Sequence, residues 1–195
     1  MRKYIMFIIV SFCITKITAQ TSKPIFNSFG LHYSLNGTGD MKGFDINVAK
    51  RKTINKTFDW YYGSSLNLHF RGASHTISGG NPPTLKFQTF GIQAESGVTM
   101  KLFGNNSPLK ISTSPILRFQ STTYPSAYQS SYDPISNAWR HTIIQSIPNT
   151  LSLGYKIQLE LGLMKMKKSS MSFSANFQND TRGDVITGLG IVIRN

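Results

Sequence analysis

The stretch LSLGYKIQLELGL, residues 151–163, alternates without a break. Leu151, Leu153, Tyr155, Ile157, Leu159, Leu161 and Leu163 occupy its odd positions, and Ser152, Gly154, Lys156, Gln158, Glu160 and Gly162 its even ones. Successive side chains on a strand point to opposite faces, so this segment is a strand with one apolar and one polar face. It is long for a soluble strand, where about 5–6 residues is usual. A tilted strand crossing ~30 Å of hydrocarbon needs about 9–11 residues, and this one has enough. In a soluble protein the apolar face would be core. In a membrane barrel it would meet lipid, with the charges turned into the lumen.

The same pattern continues in both directions. Downstream, Met171, Phe173, Ala175 and Phe177 oppose Ser172, Ser174, Asn176 and Gln178. NDTRGD (179–184) reads as a turn, and Leu189, Ile191 and Ile193 share a face of a last run, 185–194. Upstream, Phe29, Leu31, Tyr33 and Leu35 alternate with Gly30, His32, Ser34 and Asn36. Across the turn cluster Gly37-Thr38-Gly39-Asp40 lie Phe44, Ile46 and Val48, and two such runs around a Gly-rich turn predict a hairpin. Further runs are Phe58 to Arg71, Phe90 to Leu102, and 109–119 with an interruption at Pro115. The pattern gives eight strands. Segments 72–84 and 121–149 read as long irregular loops, whereas 51–56, 104–108 and 165–169 are short polar turns. That alternation of loop length fits an up-and-down barrel with both termini on the side of the short turns.

Residues 1–19 read as a secretory signal: Arg2 and Lys3, an apolar run over 4–14, and Ile17-Thr18-Ala19 before Gln20. Residues 20–195 then form one barrel domain. The single cysteine, Cys13, lies within the signal, and Phe12 before it is a poor match to a lipoprotein site. A mature chain without Cys13 has no thiol for disulfides or metal. Removing Arg2, Lys3 and Lys16 lowers the formal charge from +13 to +10. An exported chain with dispersed basic residues points to anionic lipid or lipopolysaccharide and away from nucleic acid.

Eight strands enclose a space that side chains fill, so an open pore is not expected. The polar faces carry Asp45, Asp59, Arg71, Glu95, Lys101, Arg118, Lys156 and Glu160. Buried charges need partners, which predicts a lumen network pairing Glu95 or Glu160 with Lys101, Lys156, Arg71 or Arg118. Only 15% of residues are charged, which is little for the outside of a soluble barrel. Phe58, Trp60 and Tyr62 suit an interfacial aromatic girdle. Segment 121–149 carries Tyr124, Tyr128, Tyr132 and Trp139, aromatic contacts for either a binding loop or the headgroup rim. His69, His75 and His141 lack metal-ligand spacing and read as solvated loop residues. No cofactor motif occurs, and GTG at Gly37 precedes no helix.

The Ala19-Gln20 junction, the opening FGLHYSLNGTG (29–39), the turn FQNDTRGD (177–184) and the ending GLGIVIRN (188–195) carry a resemblance over the whole mature chain. It resembles the porin-like outer membrane protein β-barrel families abundant in Bacteroidetes, of OmpA-like eight-stranded type. The resemblance implies an all-β, eight-stranded antiparallel transmembrane barrel in a Gram-negative outer membrane. It also implies a monomer without enzymatic activity or cofactor, contacting outer-membrane lipid, lipopolysaccharide and an extracellular partner through its loops. One departure is the ending Ile193-Arg194-Asn195, where such barrels carry an aromatic residue.

The sharpest enzymatic candidate is His32 and Ser34 with Asp45. Placing Asn36 opposite Gly43 sets Ser34 opposite Asp45, and the trio is similar to that of lipid A deacylases, also small barrels. Those enzymes show their triad to lipid, whereas these residues share the lumen face. No oxyanion site is visible, so a polar lumen cluster is expected. A soluble lipocalin-like barrel with an apolar interior is the other alternative.

Overall fold

The computed structural model describes residues 25–37, 41–74, 84–104, 107–135, 137–165 and 168–195. The signal segment 1–19 lies outside the described residues, as do His75 and most of the turn 37–40. The strands are β1 (Ser28–Asn36), β2 (Met41–Thr53), β3 (Phe58–Ser74), β4 (Thr84–Lys101), β5 (Leu109–Asp133), β6 (Ala138–Ser146), β7 (Asn149–Lys165), β8 (Ser170–Asp180) and β9 (Val185–Arg194). Eight of them form one antiparallel ring. Its order is β1-β2-β3-β4-β5-β7-β8-β9, closed by pairing of β9 back onto β1.

The alternation decides which face is which. On β7, Ser152, Lys156, Gln158 and Glu160 are at most 4% exposed, whereas Leu151, Leu153, Ile157, Leu159, Leu161 and Leu163 are all exposed. The same holds around the ring: Leu31, Phe44, Ile92, Leu117, Phe173 and Leu189 face outward. Among the described residues the buried apolar set is small: Ala49, Tyr61, Ile116, Ile186 and Val192. A polar inside with an apolar outside suits hydrocarbon as the surrounding solvent. A soluble barrel with an apolar cavity does not fit this lining. No described helix is long and apolar enough to cross a membrane.

Two expectations are corrected. Segment 121–149 is not irregular. β5 continues to Asp133, and Tyr124 to Asp133 pair with β6 as a ribbon of their own. The segment alternates Tyr with Ser and Pro and lacks a dry face, so it carries no apolar contrast to read. The loop 72–84 is likewise shorter than expected, because β3 and β4 stay paired to Ser74 and Thr84.

Pro115 does not end its strand. It lies within β5 opposite Tyr155 of β7, while the β4 ladder skips Ser114 and Pro115. A residue with no N–H is tolerated at such an irregular step.

Candidate functional site

The lumen is filled in three layers. Nearest the chain ends, Glu160 on β7 takes Arg51 of β2 (Nη2 to Oε1, 3.2 Å) and Arg194 of β9 as partners. Arg51 also donates to Thr99 Oγ1 at 2.6 Å and lies over the Tyr61 ring, 4.7 Å from its centroid. Lys101 pairs with Asp59 at 2.6 Å in the same layer.

In the middle, Lys156 Nζ stands 3.0 Å from Glu95 Oε2. Asp45 is fully buried and accepts from Gln178 Nε2 at 3.1 Å. Toward the other end, Arg118 donates through Nη1 to Asp180 Oδ2 (3.1 Å) and through Nη2 to Gln178 Oε1 (3.2 Å). Ser152 donates to the same Asp180 oxygen at 2.7 Å. These are charge-assisted bonds between side chains that the pleat has turned inward, and they offset part of the cost of burying the charges.

Of the expected network, Asp45, Asp59, Glu95, Lys101, Arg118, Lys156 and Glu160 are buried in the lumen. Arg71 is not. It is exposed beyond the ring, 5.8 Å from the Phe87 ring centroid, because β3 and β4 run past the wall there as a two-stranded ribbon. Lys156 pairs with Glu95. Glu160 instead takes arginines from β2 and β9, and Arg118 takes Asp180. Arg51, Arg194 and Asp180 were missed because each sits near a strand end, where alternation fades into turn chemistry.

The His32, Ser34, Asp45 trio does not assemble as expected. Asn36 pairs with Met41, two residues from the expected register, so Asp45 lies opposite His32 and Ser34 opposite Gly43. His32 Nε2 hydrogen-bonds Ser174 Oγ, and Asn47 Nδ2 reaches His32 Nδ1 at 3.5 Å. Ser34 Oγ instead meets His69 Nε2 at 2.8 Å. His69 is thus a wholly buried lumen residue and not a loop histidine. His141 lies in β6 opposite Ser130.

Glycines let the neighbouring strand backbone approach closely beside both histidines. A Cβ on Gly43, opposite His69, would lie 1.8 Å from Leu68 O. One on Gly190, opposite His32, would lie 2.0 Å from Leu31 O. Ser34, His69, His32 and Ser174 all have no exposed surface, so the hydroxyl–imidazole pairs are shut off from any substrate. Among the described residues no group of three His, Cys, Asp or Glu is placed to hold a metal.

The accessible chemistry is outside the ring. The β5–β6 ribbon carries Tyr124, Tyr132, Ile135, Trp139 and Ile144, all exposed. Tyr132 and Trp139 pack ring to ring at 5.4 Å, and the Tyr132 hydroxyl donates to Asn137 Oδ1. Tyr128 sits in the same ladder opposite Ile143. Nine paired residues of β5 add roughly 30 Å of ribbon at ~3.3 Å per residue.

No protein-family model and no curated protein matches the chain. Among solved structures, the chain is similar to Ail, the attachment invasion locus protein of Yersinia pestis. The identity is 11%, the match covers 87% of this chain and 97% of that one, and the TM-score is 0.50. Neisserial surface protein A is similar at 11% identity, over 86% of this chain and 93% of that one, with a TM-score of 0.48. At such identity the likeness shows the fold alone. The chain has the fold of a small, eight-stranded outer-membrane β-barrel.

Proposed function

We propose that this protein is a non-enzymatic barrel of a Gram-negative outer membrane, delivered by the signal at residues 1–19 and of the Bacteroidetes porin-like type. Its work is done outside the membrane by the β5–β6 ribbon. One observation carries the reading: in a molecule whose lumen is filled and whose wall suits lipid, the ribbon offers paired aromatic rings free of the ring wall. Aromatic side chains of that kind give large contact area at low entropic cost. The enzymatic alternative has no support in the geometry, since the hydroxyls and imidazoles of the lumen are sealed.

Two measurements test this. Fractionation with heated and unheated gels should show a detergent-requiring protein whose mobility shifts on heating. Intact cells should then lose adhesion to protein-coated surfaces when residues 124–146 are replaced by a short Asn-Gly turn, with the heat shift retained. Release by salt alone would defeat the membrane reading. Unchanged adhesion would defeat the ribbon's role.

A further inference from the structure

The positive charge of this chain is not spread evenly along the barrel axis. The end carrying both strand termini holds Lys50, Arg51, Lys52 and Lys56 on β2 and its turn, Lys101 and Lys110 on β4 and β5, and Lys165, Lys168 and Arg194 on β7, the next turn and β9. Among the described residues, Asp59 and Glu160 oppose these nine. The far end has five basic residues, Lys42, Arg71, Lys86, Arg140 and Arg182, against Asp133, Asp180 and Asp184 among the described residues. Asp45, Glu95, Arg118 and Lys156 balance in between.

The basic end also carries the marks of a membrane interface. Lys52 pairs with Trp60 and Lys50 with Tyr62, and both rings are exposed and packed at 5.8 Å. Tryptophan and tyrosine settle at headgroup level, and lysines beside them extend their ammonium groups to the phosphates.

On the other side of the same end is an open cavity of about 510 Å³. Lys110, Arg194, Lys165 and Lys168 line it, with Leu163 and Met164 exposed at its edge. Gly162 to Met164 is a bulge, where the β7–β8 register shifts. Cations beside an apolar lip, continuous with the Leu159–Leu161–Leu163 face, match a molecule with an anionic head and acyl chains. Lipopolysaccharide would be met at the other end, where the long ribbons are and the charge nearly cancels.

We propose that this cavity binds the headgroup of an anionic phospholipid of the periplasmic leaflet, held by Lys165 and Lys168 with Lys110, while Arg194 lines the cavity with its guanidinium already paired to Glu160. The inference rests on the membrane reading above. Each basic residue at an anionic surface strengthens binding roughly fivefold, so losing two weakens it roughly twenty-five-fold.

The test uses the whole barrel in phosphatidylcholine nanodiscs doped with phosphatidylglycerol, with retained lipid counted by native mass spectrometry. Phosphatidylglycerol should be retained over phosphatidylcholine. The Lys165→Gln, Lys168→Gln double variant should lose that preference while keeping its heat-shifted gel mobility, and Arg182→Gln at the far end should keep it. Equal retention of the two lipids, an unaffected double variant, preferred retention of lipid A, or displacement by inorganic phosphate would each overturn the proposal. Failure to insert into the disc at all would instead defeat the membrane reading.

Discussion

Arg118 on β5 reaches past β7 to Asp180 on β8, with Nη1 3.1 Å from Oδ2 and neither side chain exposed. Removing one member leaves the other charge buried without its partner. Arg118→Ala should therefore cost about 3–5 kcal/mol in reversible urea unfolding from lipid. Arg118→Met combined with Asp180→Leu should cost clearly less than Arg118→Ala, because no orphaned charge remains. Equal losses would show that the pair carries no such coupling.

Outward-facing Leu159 lies mid-strand on β7. Leu159→Arg should destabilise the barrel by roughly 2–4 kcal/mol in a bilayer, and Leu151→Arg nearer the rim by roughly 0–1 kcal/mol. A soluble barrel would tolerate both, so depth dependence in the same unfolding assay separates the two solvents.

Gly190→Val places carbon where Leu31 O and the His32 backbone already stand. The strand must shift at the closing seam, at about 1–3 kcal/mol or more. A diminished heat-resistant band on unheated gels is the expected readout. Gly37→Ala is a different case, since no atom crowds that Cβ and the strain comes only from φ 75°.

Planar-bilayer recordings of the purified barrel should show no unitary conductance steps. Lys156 and Glu95 meet across a lumen already filled by Arg118, His32, His69 and Gln93. Aqueous channels need about 16 strands. Steady single-channel currents would contradict the filled lumen.

Lipid A from cells expressing His32→Ala or Ser34→Ala should be identical to that from cells with the unaltered barrel. His32 and Ser34 bond inward, to Ser174 and His69. A change in acylation detected by mass spectrometry would revive the enzymatic alternative.

The barrel wall was legible because each strand separates two solvents, which forces period-two contrast onto residues such as Leu159 and Glu160. The ribbon was not, because both faces of Tyr124 to Asp133 are wet and polar residues serve equally on either. Side-chain partners depended on register. With Asn36 opposite Met41 instead of Gly43, His32 gains Asp45 as neighbour and Ser34 loses it. Nothing in the turn GTGD fixes that two-residue difference. His69 was misplaced because β3 was expected to end near it, whereas its pairing continues to Ser74.

The pairing of β1 with β9 has a consequence for biogenesis. Ser28 meets Arg194, and Asn36 meets Ile186, so the ring is joined by segments about a chain-length apart. Before they meet, both strands present unpaired N–H and C=O groups, each costing several kcal/mol in hydrocarbon. Partial barrels are therefore poor membrane residents, and stepwise strand-by-strand insertion from one end is disfavoured. The last strand to be made decides whether any of the others can stay.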